Sequence, residues 1–296
     1  MKSYVKMVLF LFLLSVISAV LLTAFYLGFR ERIDANRQSE RILHIIKAMW
    51  ILPEGVEEAL ASNVEFANMP SVSEHDAFVK YATKVKLVEK YLKEYVNLDE
   101  VFRERVNVLE ISRENIVKRY SGEEFWENFS KLDLVHNLYI FNAVNNNRNI
   151  YCFEVSGVGF WDKIVGYICL EQGLENITGI TFYDHKETPG LGQRIEEGWF
   201  QGQFSFWKKR IFVDNEFHPS FHVSKQVGTY DGSCLDKAVN EVDGITGASE
   251  TSRGLDRLLT ENLQFVFKRI RENINTAEVK GFFDSASLQR LEMNRE

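Results

Sequence analysis

A chain of 296 residues, 45% hydrophobic and 26% charged, can bury one sizeable core, or one core and a smaller helical part, and is not a disordered tail. Its net charge of −7, with no dense cluster of Lys and Arg, excludes nucleic acid as a partner. The three cysteines, Cys152, Cys169 and Cys234, fit neither a Cys-x-x-Cys redox pair nor a zinc or iron–sulfur set; a Cys152–Cys169 disulfide requires neighbouring strands, and all three are read as structural, buried small hydrophobes.

After a short tail over residues 1–6, Met7 to Phe29 carries no charge and is long enough to cross a bilayer as one helix. It runs directly into Arg30-Glu31-Arg32 without a small-x-small cleavage site, which favours a retained anchor over a signal peptide. Lys2 and Lys6 precede the span while Arg30, Arg32, Arg37 and Arg41 follow it, so the positive-inside rule alone puts the large domain in the cytoplasm.

Residues 30–135 read as a helical stalk and insert. Ile42, Ile45, Ile46, Met49 and Trp50 recur at helical spacing before the stop signal of Pro53, and a second helical stripe runs through Phe78, Tyr81, Val85, Val88, Tyr91 and Leu92. The charges of residues 54–135 follow helical spacing and read as solvated faces, without a catalytic pattern.

The composition turns β-rich near residue 138, opening a domain over residues 136–275. Leu138–Val144 and Ile150–Val155 flank the Asn-rich stretch 145–149 and predict a hairpin. Further strands are expected at Ile164–Leu170, Ile177–Tyr183, Arg210–Val213 and Phe221–Lys225. Leu255, Leu258, Leu259, Leu263, Val266, Phe267 and Ile270 then form one apolar helical stripe, and residues 276–296 are read as a tail. The fold class is α+β: an N-terminal transmembrane helix and helical stalk, then a mostly antiparallel sheet flanked by helices.

Two segments carry chemistry. Asp243-Gly244-Ile245-Thr246-Gly247-Ala248-Ser249 immediately precedes that amphipathic helix, where free backbone N–H groups and the positive helix end stabilise a phosphate. Gly244 and Gly247 open backbone conformations closed to other residues, and Ala248 adds little bulk; an ordinary turn with a hydroxyl N-cap is the competing reading. The second segment, Glu187-Thr188-Pro189-Gly190-Leu191-Gly192, has Pro-Gly at the centre of an expected type II turn. That turn presents Leu191 outward and leaves Glu187 and the Thr188 hydroxyl to face a ligand, or else it is only a tight connection.

Together these segments, with Gly157-Val158-Gly159-Phe160-Trp161 and Gly179-Ile180-Thr181-Phe182-Tyr183, resemble the FMN-binding domain family of the C subunit of the sodium-translocating NADH:quinone reductase, shared with the G subunit of the Rnf complex. The resemblance covers the span and residues 137–270. It implies FMN joined by a phosphodiester to Ser249, installed by a magnesium-dependent flavin transferase that uses FAD. The family more often has threonine at that place and serine at that of Thr246, which leaves Thr246 as a minor candidate. The resemblance further implies that Glu187, Thr188, Gly190 and Leu191 line the isoalloxazine ring, that Thr246, Gly247 and Ala248 border the cofactor, and that Asp243, Gly247 and Ala248 are recognised by the transferase. The implied protein is an electron-transfer subunit in the bacterial inner membrane with its flavin domain outside the cytoplasm, against the arginine count, among other membrane subunits and lipid. NADH has no complete site in this chain: Gly157-Val158-Gly159 and Gly190-Leu191-Gly192 lack the third glycine of a dinucleotide fingerprint. No metal site is expected, since Pro219 separates His218 from His222 and no third ligand is evident. The alternatives are an Rnf-type subunit, a stand-alone flavinylated reductase, or a non-flavinylated anchored adaptor that binds a partner through residues 54–135.

Overall fold

The computed structural model describes residues 2–212, 221–224 and 239–292. The predicted roles of Cys234 and His218, the ends of the expected strands at Val213 and Lys225, and residues 293–296 lie outside the described residues. The chain divides into two units, Met1–Arg41 and Ile42–Glu296. The first is helical throughout its described length, contributed by α1 (Lys2–Ala48). The apolar side chains from Tyr4 to Phe29 are exposed, and the helix is long and apolar enough to cross a membrane.

The second unit is organised by a six-stranded antiparallel sheet built from β1 (Asn107–Ile111), β2 (Val117–Ser121), β3 (Leu138–Asn145), β4 (Arg148–Val158), β5 (Lys163–Glu171) and β6 (Ile177–Asp184), in the order β2-β1-β3-β4-β5-β6. Asn146 and Asn147, at φ 49° and 61°, make the two-residue β3–β4 turn, whose positive φ values suit asparagine and match the twist of the strands. Both faces of the sheet are apolar, so each residue parity has its own core. Ile140, Tyr151, Phe153, Val155, Ile164 and Ile168 point to one; Val108, Phe141, Ile150, Cys152, Tyr167 and Cys169 point to the other.

Helices cover both faces. The first core is closed by α7 (Gly198–Phe206), α8 (Ser249–Glu272), α9 (Ala277–Phe282) and α10 (Ser285–Glu292), with a short parallel pair, β7 (His222–Ser224) and β8 (Glu241–Asp243). The apolar stripe of α8 is wholly buried, as its spacing predicts. The second core takes the end of α1 from Ile42, with α2 (Glu54–Ser62), α4 (Glu74–Tyr95), α5 (Leu98–Arg105) and α6 (Gly122–Asn128); α3 (Val64–Ala67) is a single turn between α2 and α4.

Four expectations are corrected. Residues 42–51 are core rather than stalk: Ile42, Ile45, Ile46, Met49 and Ile51 are buried. The expected helical insert contributes β1 and β2; β2 is a short edge strand whose Lys118 and Arg119 are exposed, the polar composition that blunts an edge and hides it from pattern reading. The expected tail supplies α9 and α10, and it buries Val279, Phe282, Phe283 and Leu291. Finally, Cys152 and Cys169 are register partners on β4 and β5 and form a disulfide, so two of the three cysteines are paired rather than free hydrophobes.

The second core also encloses charge. Lys47 Nζ lies 2.6 Å from Glu89 Oε2. Burial and then the neighbouring Lys47 push the His44 imidazole down to about 3 from its ordinary 6.5. Lys93, Glu89 and Glu196 also act on it, and its ring lies 5.4 Å from that of Tyr183. A histidine kept neutral by the fold stabilises fully above its unfolded value, and that stability is lost as pH falls toward the folded one. Lowering the pH from 7 to 5 is expected to reduce the unfolding free energy by about 2 kcal/mol from this group. Denaturant titrations in detergent should show the slope in the parent chain and a flatter profile in His44→Phe.

Candidate functional site

The segment that links β8 to α8 is folded back onto the first turn of the helix. Asp243 donates its N–H to Gln203 Oε1 at 2.9 Å, and Gln203 Nε2 donates to the Asp243 carbonyl at 3.2 Å. Gly244 N–H donates to the Ser224 carbonyl at 2.7 Å. Ile245 N–H donates to Ser252 Oγ at 2.9 Å, while that hydroxyl donates to the Ala248 carbonyl at 3.0 Å. Gly247 sits at φ +83°, the left-handed region open to glycine, and α8 begins at Ser249.

These bonds sort the hydroxyls. Thr251 and Ser252 are buried, whereas Thr246, Gly247 and Ser249 are exposed. Ser249 thus presents its hydroxyl at the positive end of a 24-residue helix, where the first N–H groups have no partner one turn back. Asp243 and Ala248 are buried beneath the loop. A cavity of about 720 Å³ opens beside Ser249, bordered by His222, Ser224, Thr246, Arg253 and Asp256 among others. On its wall His222 Nδ1 lies 3.2 Å from Asp256 Oδ1, which also accepts the Val223 N–H at 3.0 Å.

The Pro-Gly segment forms the expected type II turn. Leu191 N–H donates to the Thr188 carbonyl at 3.1 Å, and Gly190 occupies the third position at φ +73°. Leu191 is 43% exposed, yet it reaches the other motif: a Cβ on Gly247 would stand 3.3 Å from Leu191 Cδ2. Thr188 Oγ1 accepts from Trp161 Nε1 at 2.9 Å. Beside the turn, Lys186 pairs with Asp162; their hydrogen bond holds Asp162 below the usual carboxylate range and Lys186 above the usual lysine range.

Glu187 departs from its expected placement toward a ligand. It is 5% exposed, and its Oε1 accepts the N–H groups of Phe160 at 2.8 Å and Trp161 at 3.3 Å. Its Oε2 accepts the Thr251 hydroxyl from the first turn of α8. The carboxylate therefore faces protein donors on both oxygens and joins the two motifs across 64 positions of sequence. Sequence reasoning missed Thr251 as its partner. The only signal was the placement of a second hydroxyl two residues beyond Ser249.

Residues 159–264 match the model of a family described as FMN-binding domain. The C subunit of the Na(+)-translocating NADH-quinone reductase from Pseudomonas aeruginosa is 33% identical over 105 residues, which are 36% of this chain and 38% of that protein. The protein of the same name from Yersinia pestis is 28% identical over 118 residues, 40% of this chain and 41% of that protein. The chain thus spans about two fifths of the length of these curated relatives. A crystal structure of the protein of that name from Parabacteroides distasonis aligns with 68% of this chain and 97% of its own, at 24% identity and a TM-score of 0.45.

A Cβ at Gly190 would meet nothing within 4 Å, so the demand for glycine there is conformational and not steric. Gly190→Ala and Gly190→Val should therefore both destabilise, by about 1–3 kcal/mol, with Gly190→Asn milder. Thermal unfolding of the three variants checks this ranking.

Proposed function

We propose that this chain is a membrane-anchored electron-transfer subunit that carries FMN bonded through Ser249, within a sodium-translocating NADH:quinone reductase. The single observation that carries the reading is the convergence of the two motifs around the exposed Ser249 at the start of α8. Ser249 stands at the N-terminus of α8, Gly247 leaves its approach open, and the Pro-Gly turn is brought alongside by Leu191. The similarity of residues 159–264 to the FMN-binding domain model supports the same reading.

The residues fit the group. The phosphate would sit at the free N–H groups that open α8, where the helix dipole favours negative charge. The adjoining cavity of about 720 Å³ has room for a ligand of this class. FMN, when bound, exchanges electrons with neighbouring carriers, while the chain supplies tether, orientation and electrostatic setting. Attachment would join Ser249 Oγ to the FMN phosphorus of FAD, with the pyrophosphate bond broken, AMP as the leaving group and the hydroxyl proton passed to solvent. A flavin transferase reads the exposed Thr246, Gly247 and Ser249, while Asp243 and Ala248 shape the loop from beneath. Thr188, Gly190 and Leu191 border the ring. Thr251 is withdrawn from attachment by its bond to Glu187.

The domain lies outside the cytoplasmic membrane, anchored by α1. The Cys152–Cys169 disulfide supports this side, because such pairs persist in oxidising compartments and are rare in the cytosol. It weighs against the arginine asymmetry around the span, a weak guide when a large domain follows. The other membrane subunits of the complex and lipid are the standing partners.

Protein made with the transferase present should be heavier than its sequence by one FMN less water, and Ser249→Ala should abolish the increment in an intact-mass measurement. A retained increment would move the bond to Thr246, and no increment in the parent chain would leave the anchored adaptor as the better reading. Protease added to intact spheroplasts should digest the domain beyond Phe29; full protection would overturn the topology.

A further inference from the structure

Glu187 is a buried carboxylate that three chain segments close around, and the packing is made tight by glycine. A Cβ on Gly159 would stand 2.6 Å from Ile164 Cδ1 and closer still to Glu187 Oε1. One on Gly192 would stand 2.5 Å from Glu187 Oε2 and 2.6 Å from Thr251 Oγ1. One on Gly254 would stand 2.7 Å from the Val158 carbonyl and 3.0 Å from Gly159 Cα, so α8 lies directly on the end of β4. Real Cβ atoms do not approach their neighbours so closely, and each of these positions leaves room for the carboxylate or for the helix that it grips. The donors that meet Glu187 come from the segment after β4 and from the first turn of α8.

We propose that Glu187 is a positioning residue for flavin attachment: through Thr251 it fixes the first turn of α8, and with it the Ser249 hydroxyl, in the orientation the transferase uses. This rests on the flavin reading above but assigns Glu187 a place that faces the helix and not the ring. Thr251 lies two residues beyond Ser249 in the same helical turn, so releasing Thr251 frees the segment whose geometry sets the direction of the Ser249 hydroxyl. Charge-assisted hydrogen bonds of this kind are the stronger class, and a buried acceptor deprived of its donor is costly. Ser252 holds the same turn from the other side through the Ala248 carbonyl, so losing the Glu187 anchor misaligns the serine without unfolding the helix.

The test uses the full chain co-expressed with the transferase and compares flavin incorporation over time by intact mass. Glu187→Ala and Thr251→Val should slow incorporation roughly tenfold or more, the scale expected when a reacting group is displaced by a fraction of an ångström to one ångström. Glu187→Gln should remain within about threefold of the parent, since its amide can keep the Phe160 and Trp161 bonds and donate to Thr251 Oγ1. Amide hydrogen exchange is measured in parallel on unflavinylated Ser249→Ala chains. There, adding Glu187→Ala or Thr251→Val should accelerate exchange at residues 252–254, the first hydrogen-bonded amides of α8, while leaving the C-terminal half of α8 unchanged. Parent-like incorporation and exchange in Thr251→Val, which retains the size and branching of threonine, would overturn the proposal even if Glu187→Ala failed to fold. A parent chain that takes up no flavin would defeat the functional reading instead, and the exchange measurement would still decide whether Glu187 orders the turn.

Discussion

A sheet that is apolar on both faces cannot stop at two layers, because each uncovered face would leave several large side chains in water. Here that constraint assigns work to nearly every other described element of the second unit. One parity of β4 and β5 demands α7, α8, α9 and α10; the other demands the end of α1 and the helices that follow it. The position of Ser249 is a by-product of this demand. The helix that it opens is the longest cover on its face, and burial of seven apolar residues from Leu255 to Ile270 fixes where its N-terminus falls.

At that N-terminus the chemistry of the site and the packing of the fold meet. The loop before α8 is tied inward by Gln203, Ser224 and Ser252, and the turn after β6 is tied to the same helix by Glu187. Thr251 and Ser252 are buried by these bonds, while Thr246 and Ser249 remain exposed. Two hydroxyls in one helical turn thus differ in commitment: a buried carboxylate claims that of Thr251, while Ser249 is exposed.

Much of this was legible in the chain. Short β-rich runs bounded by turn residues marked the β3–β4 hairpin and the next two strands, the Pro-Gly pair fixed a type II turn, and the stripe of α8 predicted its buried face residue by residue. What escaped has physical reasons. An edge strand of exposed Lys118 and Arg119 looks like loop or helix surface, because it is paired on one side only. Residues 42–51 have the periodicity of any amphipathic helix, which says that one face is buried but not against what. Glu187 is polar in a motif rich in turn residues, and its inward orientation depends on a partner 64 positions away. Long-range pairing of this kind leaves no local trace. The opposition of Cys152 and Cys169 has the same origin: each is an ordinary inward-facing strand residue until the register between β4 and β5 is known.

That opposition has a consequence for how the sheet keeps its two cores apart. A shift of one residue between β4 and β5 would exchange the faces of one strand, carrying Tyr151 and Phe153 into the core that now holds Ile150 and Cys152. A covalent link between Cys152 and Cys169, 17 residues apart, forbids the shift even in a chain that has lost every other contact. The oxidised polypeptide therefore carries the alignment of β4 and β5 as a lasting memory through unfolding. A reduced one must find that alignment anew from side-chain packing alone.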